Sequence, residues 1–331
     1  MAYEKTKLLL TSLLLLSGVA CSSNETVEGD LSMSENTTST ETEWKSGSVI
    51  PPDLAGGVSD GPTFDIKAKG FDYDYDALTY ELVFEDNFQG DTLDLEHWDF
   101  DTGGSGWGNN ELQYYTAGDN VTVADGLMTI TLREEAYEGM DYTSTRLVTR
   151  NKVDLLYGKI EVRAKLPEGL GTWPAIWMLP TDWEYGGWPE SGELDIVEHV
   201  GYDQDTIHAS VHTESYYFKK NTQKQSTIQL EGVSDEFHTY FIEWLPDVVY
   251  MGVDGEVYHE YRPTDYVNNP SFKEWPFDKR MHLLINIAWG GDWGGAKGID
   301  TSVLPQEMVV EYVRMYQSPE ITGIVQNLEE E

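Results

Sequence analysis

The sequence predicts an all-β protein, a sandwich or barrel of antiparallel sheets, on three observations. From about residue 78 to Gln317, apolar residues recur at every second position, and turn residues often interrupt the pattern. Two Asp-Gly pairs, Asp125-Gly126 and Asp254-Gly255, separate such runs as they do in tight β-hairpins. No long segment has a sustained 3.6-residue periodicity, so helices should be few and short. Many short strands joined by turns pack as sandwiches or barrels.

The strands can be assigned in order along the chain. Residues 121–132 and 248–261 form the two hairpins, each with an Asp-Gly pair at its turn. Residues 157–166 alternate apolar with charged side chains over ten positions. Residues 237–244 are rich in aromatic and β-branched side chains, and residues 308–316 supply the closing strand. Nothing in this succession repeats with the short period of a solenoid or propeller.

Composition excludes several classes of function. The chain has 331 residues, and its 59 acidic against 21 basic residues give a formal net charge of −38. Such a charge opposes binding to nucleic acid or to anionic membrane surfaces. A single Cys cannot form an internal disulfide or a thiolate-rich metal site.

The N-terminal residues are typical of an exported protein. Residues 1–20 have two lysines before a short apolar run and predict a signal peptide. Cys21 follows directly, in a pattern that resembles a bacterial lipobox and predicts lipidation. The alternative is an ordinary cleaved signal with an incidental Cys. Residues 21–77 predict an acidic, Ser/Thr-rich disordered tether, and residues 318–331 an acidic C-terminal tail.

Acidic residues are concentrated on one predicted strand, Glu193-Leu-Asp-Ile-Val-Glu198. Alternate side chains of a strand share a face, so Glu193 and Asp195 point one way while Glu198 points into the core. An unpaired buried carboxylate is unfavourable. We therefore predict a β-bulge at Ile196 or Val197, which returns Glu198 to the face of the other acids.

With that bulge, Glu193 and Glu198 would flank a gap of roughly 5–6 Å, the separation that retaining glycosidases use. Glu193 would then attack the anomeric carbon, and Glu198 would act as acid and base. Asp195 would share a hydrogen bond with Glu193 and help to keep Glu198 protonated. The local pattern also fits a surface strand of solvated acids, and it does not decide between the two interpretations.

The strand and its surroundings resemble glycoside hydrolase family 16, in which E-x-D-x-x-E carries the nucleophile, an assisting acid and the acid/base. The resemblance covers roughly residues 80–317, and its segments occur in the expected order. These segments are residues 106–115, 143–146, 157–163, 171–178, 211–213, 237–244, 290–295 and 311–316.

The resemblance implies a β-jelly roll with an open concave cleft suited to attack within a polymer. The spacing of the acids excludes the lichenase-type branch, which has the shorter E-x-D-x-E. Residues 106–115 and 171–178 look most like laminarinase-type endo-β-1,3-glucanases, some of which accept mixed-linkage β-1,3/1,4-glucan.

The resemblance also implies a set of substrate-binding residues. Four tryptophans are candidates for stacking on sugar rings, two near the cleavage point and two at the cleft rim. Asn109 and Arg146 could bind hydroxyl groups, and His212 could contact Glu198 or the leaving-side sugar. The tryptophans, from the cleavage point outward, are Trp173, Trp177, Trp188 and Trp293.

Family members often bind a structural calcium ion on the convex face, and Gly126 and Glu311 fall at matching positions. Glu311 stands where Asp is usual, and Asn87 replaces a common Glu. Catalysis itself should need no cofactor, since no metal-ligand spacing such as HExxH occurs.

We therefore expect a monomeric, lipid-anchored, retaining endo-β-1,3-glucanase that faces the cell surface or periplasm. One alternative is a family 16 hydrolase of another polysaccharide, such as agar. Another is a catalytically silent protein that binds glycans at the cell surface. The intact set of acids, Glu193, Asp195 and Glu198, argues against the silent binder.

Overall fold

The predicted strands form two sheets in the computed structural model, which describes residues 69–330. The back sheet has ten strands: β1 (Glu81–Asp86), β3 (Gln113–Tyr115), β4 (Val121–Ala124), β5 (Leu127–Tyr137), β6 (Met140–Ser144), β9 (Gly158–Lys165), β14 (His238–Trp244), β15 (Val249–Val253), β16 (Glu256–Tyr261) and β18 (Gln306–Gln317). The cleft sheet has eight: β2 (Asp99–Phe100), β7 (Arg146–Val148), β8 (Asp154–Leu155), β10 (Thr172–Pro180), β11 (Glu193–His199), β12 (Thr206–His212), β13 (Lys224–Gln229) and β17 (Met281–Trp289).

The order of strands places the acids near the middle of the cleft sheet. That order is β13-β12-β11-β10-β17-β7-β2, with β8 beside β17. The back sheet runs β16-β15-β14-β9-β18-β5-β6-β3, with β1 on β18 and β4 on β5. All pairs are antiparallel except β3 with β6. The two sheets of a sandwich, predicted from the period-two pattern, are confirmed.

Alternation along the strands builds the core between the sheets. Every second residue of β9 is buried, starting at Gly158. Val162 on β9 and Leu194 on β11 belong to one continuous apolar cluster that joins both sheets. Strand β17 is buried along its whole length, because one face packs on this core and the other lies under the cleft.

Both Asp-Gly pairs form the hairpin turns that the sequence predicts. Asp125 and Gly126 join β4 to β5 with φ of 55° and 75°, and Asp254 and Gly255 join β15 to β16 with φ of 51° and 87°. Two successive positive φ angles match the right-handed twist of the strands they connect, and Asp-Gly reaches them with little strain.

The ends of the folded domain differ from the prediction. The C-terminal segment predicted as a tail forms an α-helix, α1 (Pro319–Glu330), and Ile321 inserts into the core. Its apolar residues at positions 321 and 325 are four apart and therefore lie on one helix face, which packs on the core. The acidic residues around them made this short helical pattern difficult to recognise in the sequence. At the other end, Phe71 and Tyr73 pack on the core, so the domain begins before residue 78.

The remaining helices are short, as predicted. They are four 3₁₀ turns, Tyr75–Ala77, Phe218–Lys220, Pro263–Asp265 and Thr301–Val303, in the described part of the chain. Among residues 69–330, no helix is long and apolar enough to cross a membrane. The predicted signal peptide, Cys21 and most of the tether lie outside the described residues.

Candidate active site

The acids of β11 share one face because the strand contains the predicted bulge. Asp195 lies opposite Ser210 and Glu198 opposite His208, so three steps on β11 correspond to two on β12. The pairing with β10 shows the same shift, since Trp177 faces Asp195 while its neighbour Ile176 faces Val197. The extra residue is Ile196, which is fully buried.

Glu193, at one end of this row, is held by two groups. The indole N–H of Trp188 donates to its Oε2 at 3.0 Å, and Nε2 of His212 lies 3.8 Å from its Oε1. His212 stands directly across from Glu193 in the β11–β12 pairing. A donor and a nearby imidazole both favour the ionised form of this carboxylate.

Glu198, at the other end, accepts a hydrogen bond at Oε1 from the indole N–H of Trp173, at 3.0 Å. The two outer acids therefore each receive one tryptophan N–H, from opposite sides of the row. Both carboxylates line the cleft, so both can reach a sugar that lies between them.

Asp195 lies between them and is nearly inaccessible to solvent, with 2% exposure. Its Oδ2 is 3.3 Å from Nε2 of His212. Ligand atoms of Glu193, Asp195 and His212 all lie within 4.8 Å of one another. This group therefore acts as one electrostatic unit.

Burial and mutual repulsion make these acids hold protons to unusually high pH. Desolvation, followed by the charge of Asp195, raises the pKa of Glu198 from 4.5 to about 8. The same two causes raise the pKa of Glu193 to about 8, with His212 and the Trp188 hydrogen bond opposing them. Desolvation also raises the pKa of Asp195 well above its ordinary value. Near neutral pH the row keeps a proton, as a general acid requires.

The cleft extends to both sides of the acids. One arm, of about 510 Å³, is lined by Asp101, Trp107, Arg146, Arg150, Trp177, Trp183 and Asn286. The other, of about 390 Å³, is lined by His208, Ser210, Gln223, Gln225, Asp292 and Trp293. Asn109, Trp173, Glu193, Glu198 and Phe218 line both arms. A cleft open on both sides suits an internal segment of a polymer.

All seven of the predicted binding residues line one or both arms of the cleft. Asn109 and Trp173 line both arms, and Arg146 and Trp177 line the larger one. The guanidinium of Arg146 lies between Trp107 and Trp177, at 4.8 and 4.6 Å from their ring centres, and it pairs with Asp101. Cation–π contacts on both faces hold it in place.

The rim residues and His212 differ in part from the sequence-based expectation. Trp188 does line the cleft, but its N–H is committed to Glu193 and its ring packs near Tyr217 and Phe218. Trp293 packs edge-on against Trp173, with ring centres 5.3 Å apart. His212 was expected to contact Glu198 or the leaving-side sugar. It pairs instead with Asp195 and Glu193, because the β11–β12 register sets His212 opposite Glu193, whereas Glu198 stands opposite His208, four residues away on β12.

The chain is similar in sequence to known glycoside hydrolases. A model of glycosyl hydrolases family 16 matches residues 108–314. The Beta-glucanase of Rhodothermus marinus is 46% identical over 255 residues, which cover 75% of this chain and 89% of that protein. The chain belongs to glycosyl hydrolases family 16. A model of the beta-glucan synthesis-associated protein SKN1/KRE6/Sbg1 also matches residues 25–185.

Solved family 16 structures have the same fold. The laminarinase from Rhodothermus marinus has a TM-score of 0.71 at 46% identity, covering 73% of this chain and 99% of that one. SCLam, a non-specific endo-β-1,3(4)-glucanase, has a TM-score of 0.67 at 42% identity, covering 72% and 91%. The expected jelly-roll glycoside hydrolase is confirmed.

Sequence reasoning missed several cleft residues of this family 16 enzyme. Trp107, Glu111 and Asn286 lie under the larger arm, and Phe218 lies where the two arms meet. Trp107 and Glu111 stand within residues 106–115, which the resemblance had already singled out, so their segment was a usable signal. Phe218 lies on a 3₁₀ turn with no recognisable motif, and only the fold places it at the cleft.

The residues expected to bind calcium lie together at one surface pocket. Gly126 and Glu311 line one open surface pocket at the back sheet, with Asn87. The carboxylate of Glu311 accepts a hydrogen bond from Nε of Arg163. Calcium prefers several oxygen ligands with carboxylate charge. Here the lone carboxylate among the expected ligands is already paired with a guanidinium.

Proposed function

We propose that this family 16 hydrolase cleaves internal β-1,3 bonds of laminarin-type glucan by double displacement. The observation that carries the proposal is the bulge at Ile196, which places Glu193 and Glu198 on one face of a cleft open to both sides. The curated relatives include a Glucan endo-1,3-beta-glucosidase of Cryptopygus antarcticus, 37% identical over 254 residues, covering 71% of this chain and 91% of that protein.

In the first step an oxygen of Glu193 attacks the anomeric carbon of the sugar between the acids. The bond from that carbon to the glycosidic oxygen breaks, and the proton of Glu198 passes to the departing oxygen. Glu193 is suited to attack because the Trp188 N–H and His212 stabilise its negative charge. Burial raises the pKa of Glu198 and of Glu193 alike to about 8, so the row holds the proton that Glu198 donates, and the two roles are assigned by the order of the acids in the E-x-D-x-x-E pattern.

In the second step Glu198, now ionised, takes a proton from water at the same carbon. The water oxygen replaces Glu193 there, which restores both carboxyl groups and retains the anomeric configuration. Asp195 stays within the row throughout, and its charge favours the protonated form of Glu198 at the start of each cycle.

Mixed-linkage β-1,3/1,4-glucan is a second candidate substrate. The protein called Endo-1,3-1,4-beta-glycanase EglC, from Rhizobium meliloti, is 31% identical over 277 residues. Agar or another polysaccharide, and glycan binding without hydrolysis, remain the competing interpretations. The charge of −38 disfavours heavily sulfated polymers.

Digestion of laminarin, barley β-glucan and agarose, with sizing of the products, tests these alternatives. We expect laminarin to give a ladder of short oligosaccharides from the first minutes.

The Glu193→Gln variant should still bind laminarin but lose at least about 10³-fold in turnover. Proton NMR should show the β-anomer of the product first. First release of the α-anomer would contradict retention, and binding without cleavage would favour the glycan-binding protein.

The cellular context is a separate proposal. We propose that residues 1–20 direct export and that lipidated Cys21 anchors a monomeric enzyme to a bacterial membrane, facing the periplasm or the outside. The apolar run before the only Cys supports it. Detergent partitioning of wild type against Cys21→Ser in the native host tests the anchor, and equal partitioning would contradict it. Light scattering of the purified domain tests the monomer.

A further inference from the structure

A buried carboxylate outside the row of acids lies under the larger arm of the cleft. Glu111 is 7% exposed. In the described part of the chain, no Lys, Arg or His nitrogen lies within 4.0 Å of it. Three neutral donors hold it instead, from Asn109 at 3.1 Å, Gln113 at 2.7 Å and Tyr115 at 3.1 Å. A buried carboxylate is stabilised when its lone pairs are filled in this way.

An ionised carboxylate can only accept hydrogen bonds, so Glu111 dictates how its neighbours are oriented. Asn109 must turn its NH₂ group towards Glu111, at 3.1 Å. The side-chain carbonyl oxygen of Asn109 is then left for the cleft, where this residue lines both arms. Asn109 therefore offers an acceptor to the sugar and not a donor.

Glu111 also fixes the donors and acceptors of a second chain of hydrogen bonds, which runs through Tyr115 and Asn286 to Trp177. The hydroxyl of Tyr115 donates to Glu111, so its oxygen accepts from the NH₂ of Asn286 at 3.1 Å. The carbonyl of Asn286 is then free to accept the indole N–H of Trp177 at 2.7 Å. Burial raises the pKa of Tyr115 well above its ordinary value, which keeps the proton that this branch needs.

The backbone holds this network against the cleft. The amide N–H of Asp292 donates to the carbonyl of Asn109 at 2.7 Å, and the amide of Leu112 donates to Trp289 at 2.9 Å. Asn109 therefore has a fixed backbone, and the orientation of its side-chain amide is decided by Glu111.

We infer that Glu111 is a positioning residue for the substrate: it sets the hydrogen-bond polarity of the cleft wall beside the catalytic acids. Through Asn109 it presents an acceptor to a donating glucose hydroxyl, and through Tyr115 and Asn286 it holds the indole of Trp177. The inference rests on the proposed glucanase function. This arrangement favours a neutral, hydroxylated chain, since the carbonyl oxygen of Asn109 would repel an anionic substituent of the substrate.

Glu111→Gln tests the inference, because the amide keeps the size of the side chain but replaces one acceptor with a donor. Its NH₂ group must then face one of the three donors, and Asn109 is free to turn. We expect KM for laminarihexaose to rise about tenfold, which corresponds to about 1.4 kcal/mol, with kcat within about threefold of wild type. The control is Glu135→Gln, which makes the same exchange of one carboxylate oxygen for NH₂ beside Thr143 on the back sheet and should change neither constant.

A double-mutant cycle separates positioning from a structural role. In an Asn109→Ala background, Glu111→Gln should raise KM clearly less than it does in the wild type, because the branch through Asn109 is gone and only the branch through Tyr115 and Asn286 remains. Full additivity, or a fall in kcat at unchanged KM, would overturn the inference. If Glu111→Gln does not fold, Glu111→Asp in a Glu193→Gln background gives the same test by calorimetric binding of laminarihexaose. An inactive wild type that still shows the coupled binding loss would refute the glucanase and not the positioning role.

Discussion

The indole N–H of Trp173 lies 3.0 Å from Oε1 of Glu198 and donates a hydrogen bond to it. Trp188 makes the equivalent bond to Glu193 at the same distance. In each case the donor favours the ionised carboxylate and lowers its pKa. In the proposed mechanism the two bonds tune different partners, the attacking carboxylate and the acid.

This pairing predicts that each variant shifts a different limb of the pH–activity profile. Trp188→Phe should raise the pKa of Glu193 and move the acidic limb to higher pH, because the nucleophile must be ionised. Trp173→Phe should raise the pKa of Glu198 and move the alkaline limb to higher pH, because the acid must be protonated. A bond worth about 1 kcal/mol corresponds to a little under one pH unit. The profile of kcat/KM on laminarin measures both, and each variant controls for the other. Identical movement of both limbs would contradict the assignment.

The bulge predicts that a deletion is tolerated better than an insertion. Deleting Ile196 leaves a regular strand in which Glu193, Asp195 and Glu198 still alternate on one face. We expect a folded, less stable enzyme with measurable activity. Inserting one Ala after Asp195 gives Glu198 the same parity in a regular strand but places it four positions beyond Asp195, where it lies too far from Glu193 to share one sugar, and should abolish activity. Circular dichroism verifies folding, and laminarin hydrolysis measures the outcome. An active insertion variant would show that the spacing of the acids along the strand is not what activity requires.

The raised pKa of Glu198 predicts a gain in stability when the acid is removed. The folded form holds this proton up to about pH 8, whereas the unfolded chain releases it near pH 4.5. Stability therefore falls as pH rises between these values. Glu198→Gln should match wild type near pH 4 and melt a few degrees higher near pH 8. Thermal melts at both pH values measure it, with exposed Glu256→Gln as the control. A gain of equal size at pH 4 would rule out the titration as its cause.

The Arg163–Glu311 pair predicts that calcium contributes little to stability. Calcium chloride and EDTA should each leave Tm of the wild-type domain unchanged within about 1 °C, because the guanidinium already neutralises the carboxylate. Arg163→Gln should lower Tm, since Arg163 also donates to the carbonyl of Phe237 at 3.0 Å. Differential scanning calorimetry measures these values. A large rise in Tm with calcium in the wild type would show that Arg163 gives way to the ion.

Helix α1 packs on the core, so we predict that it stabilises the folded domain, although composition alone suggests a tail. Ile321 is 3% exposed, so Ile321→Ala should destabilise the domain by about 2–5 kcal/mol. The exposed Gln326→Ala on the same helix should leave stability nearly unchanged. Denaturant unfolding followed by tryptophan fluorescence measures both. Equal midpoints for the two variants would mean that the helix does not stabilise the domain.

Local chemistry in the sequence was enough to predict much of the fold and the shared face of the three acids. Period-two alternation specifies strands because successive side chains point to opposite faces, and Asp-Gly specifies the turns because it tolerates two positive φ angles. The parity of Glu193, Asp195 and Glu198 required a bulge, since the alternative was an unpaired carboxylate in the core. Each of these inferences depends only on neighbours in the chain.

Tertiary structure alone decided which distant residues meet the acids. His212 could be placed near the row from the sequence, but the register between β11 and β12 gave it to Asp195 and Glu193 and not to Glu198. Glu111 lies at the cleft because the fold places it against Tyr115 and the cleft sheet. Arg163 pairs with Glu311 because β9 and β18 are neighbouring strands. Partners so far apart in the chain are fixed by strand register and burial, which alternation along one strand does not encode.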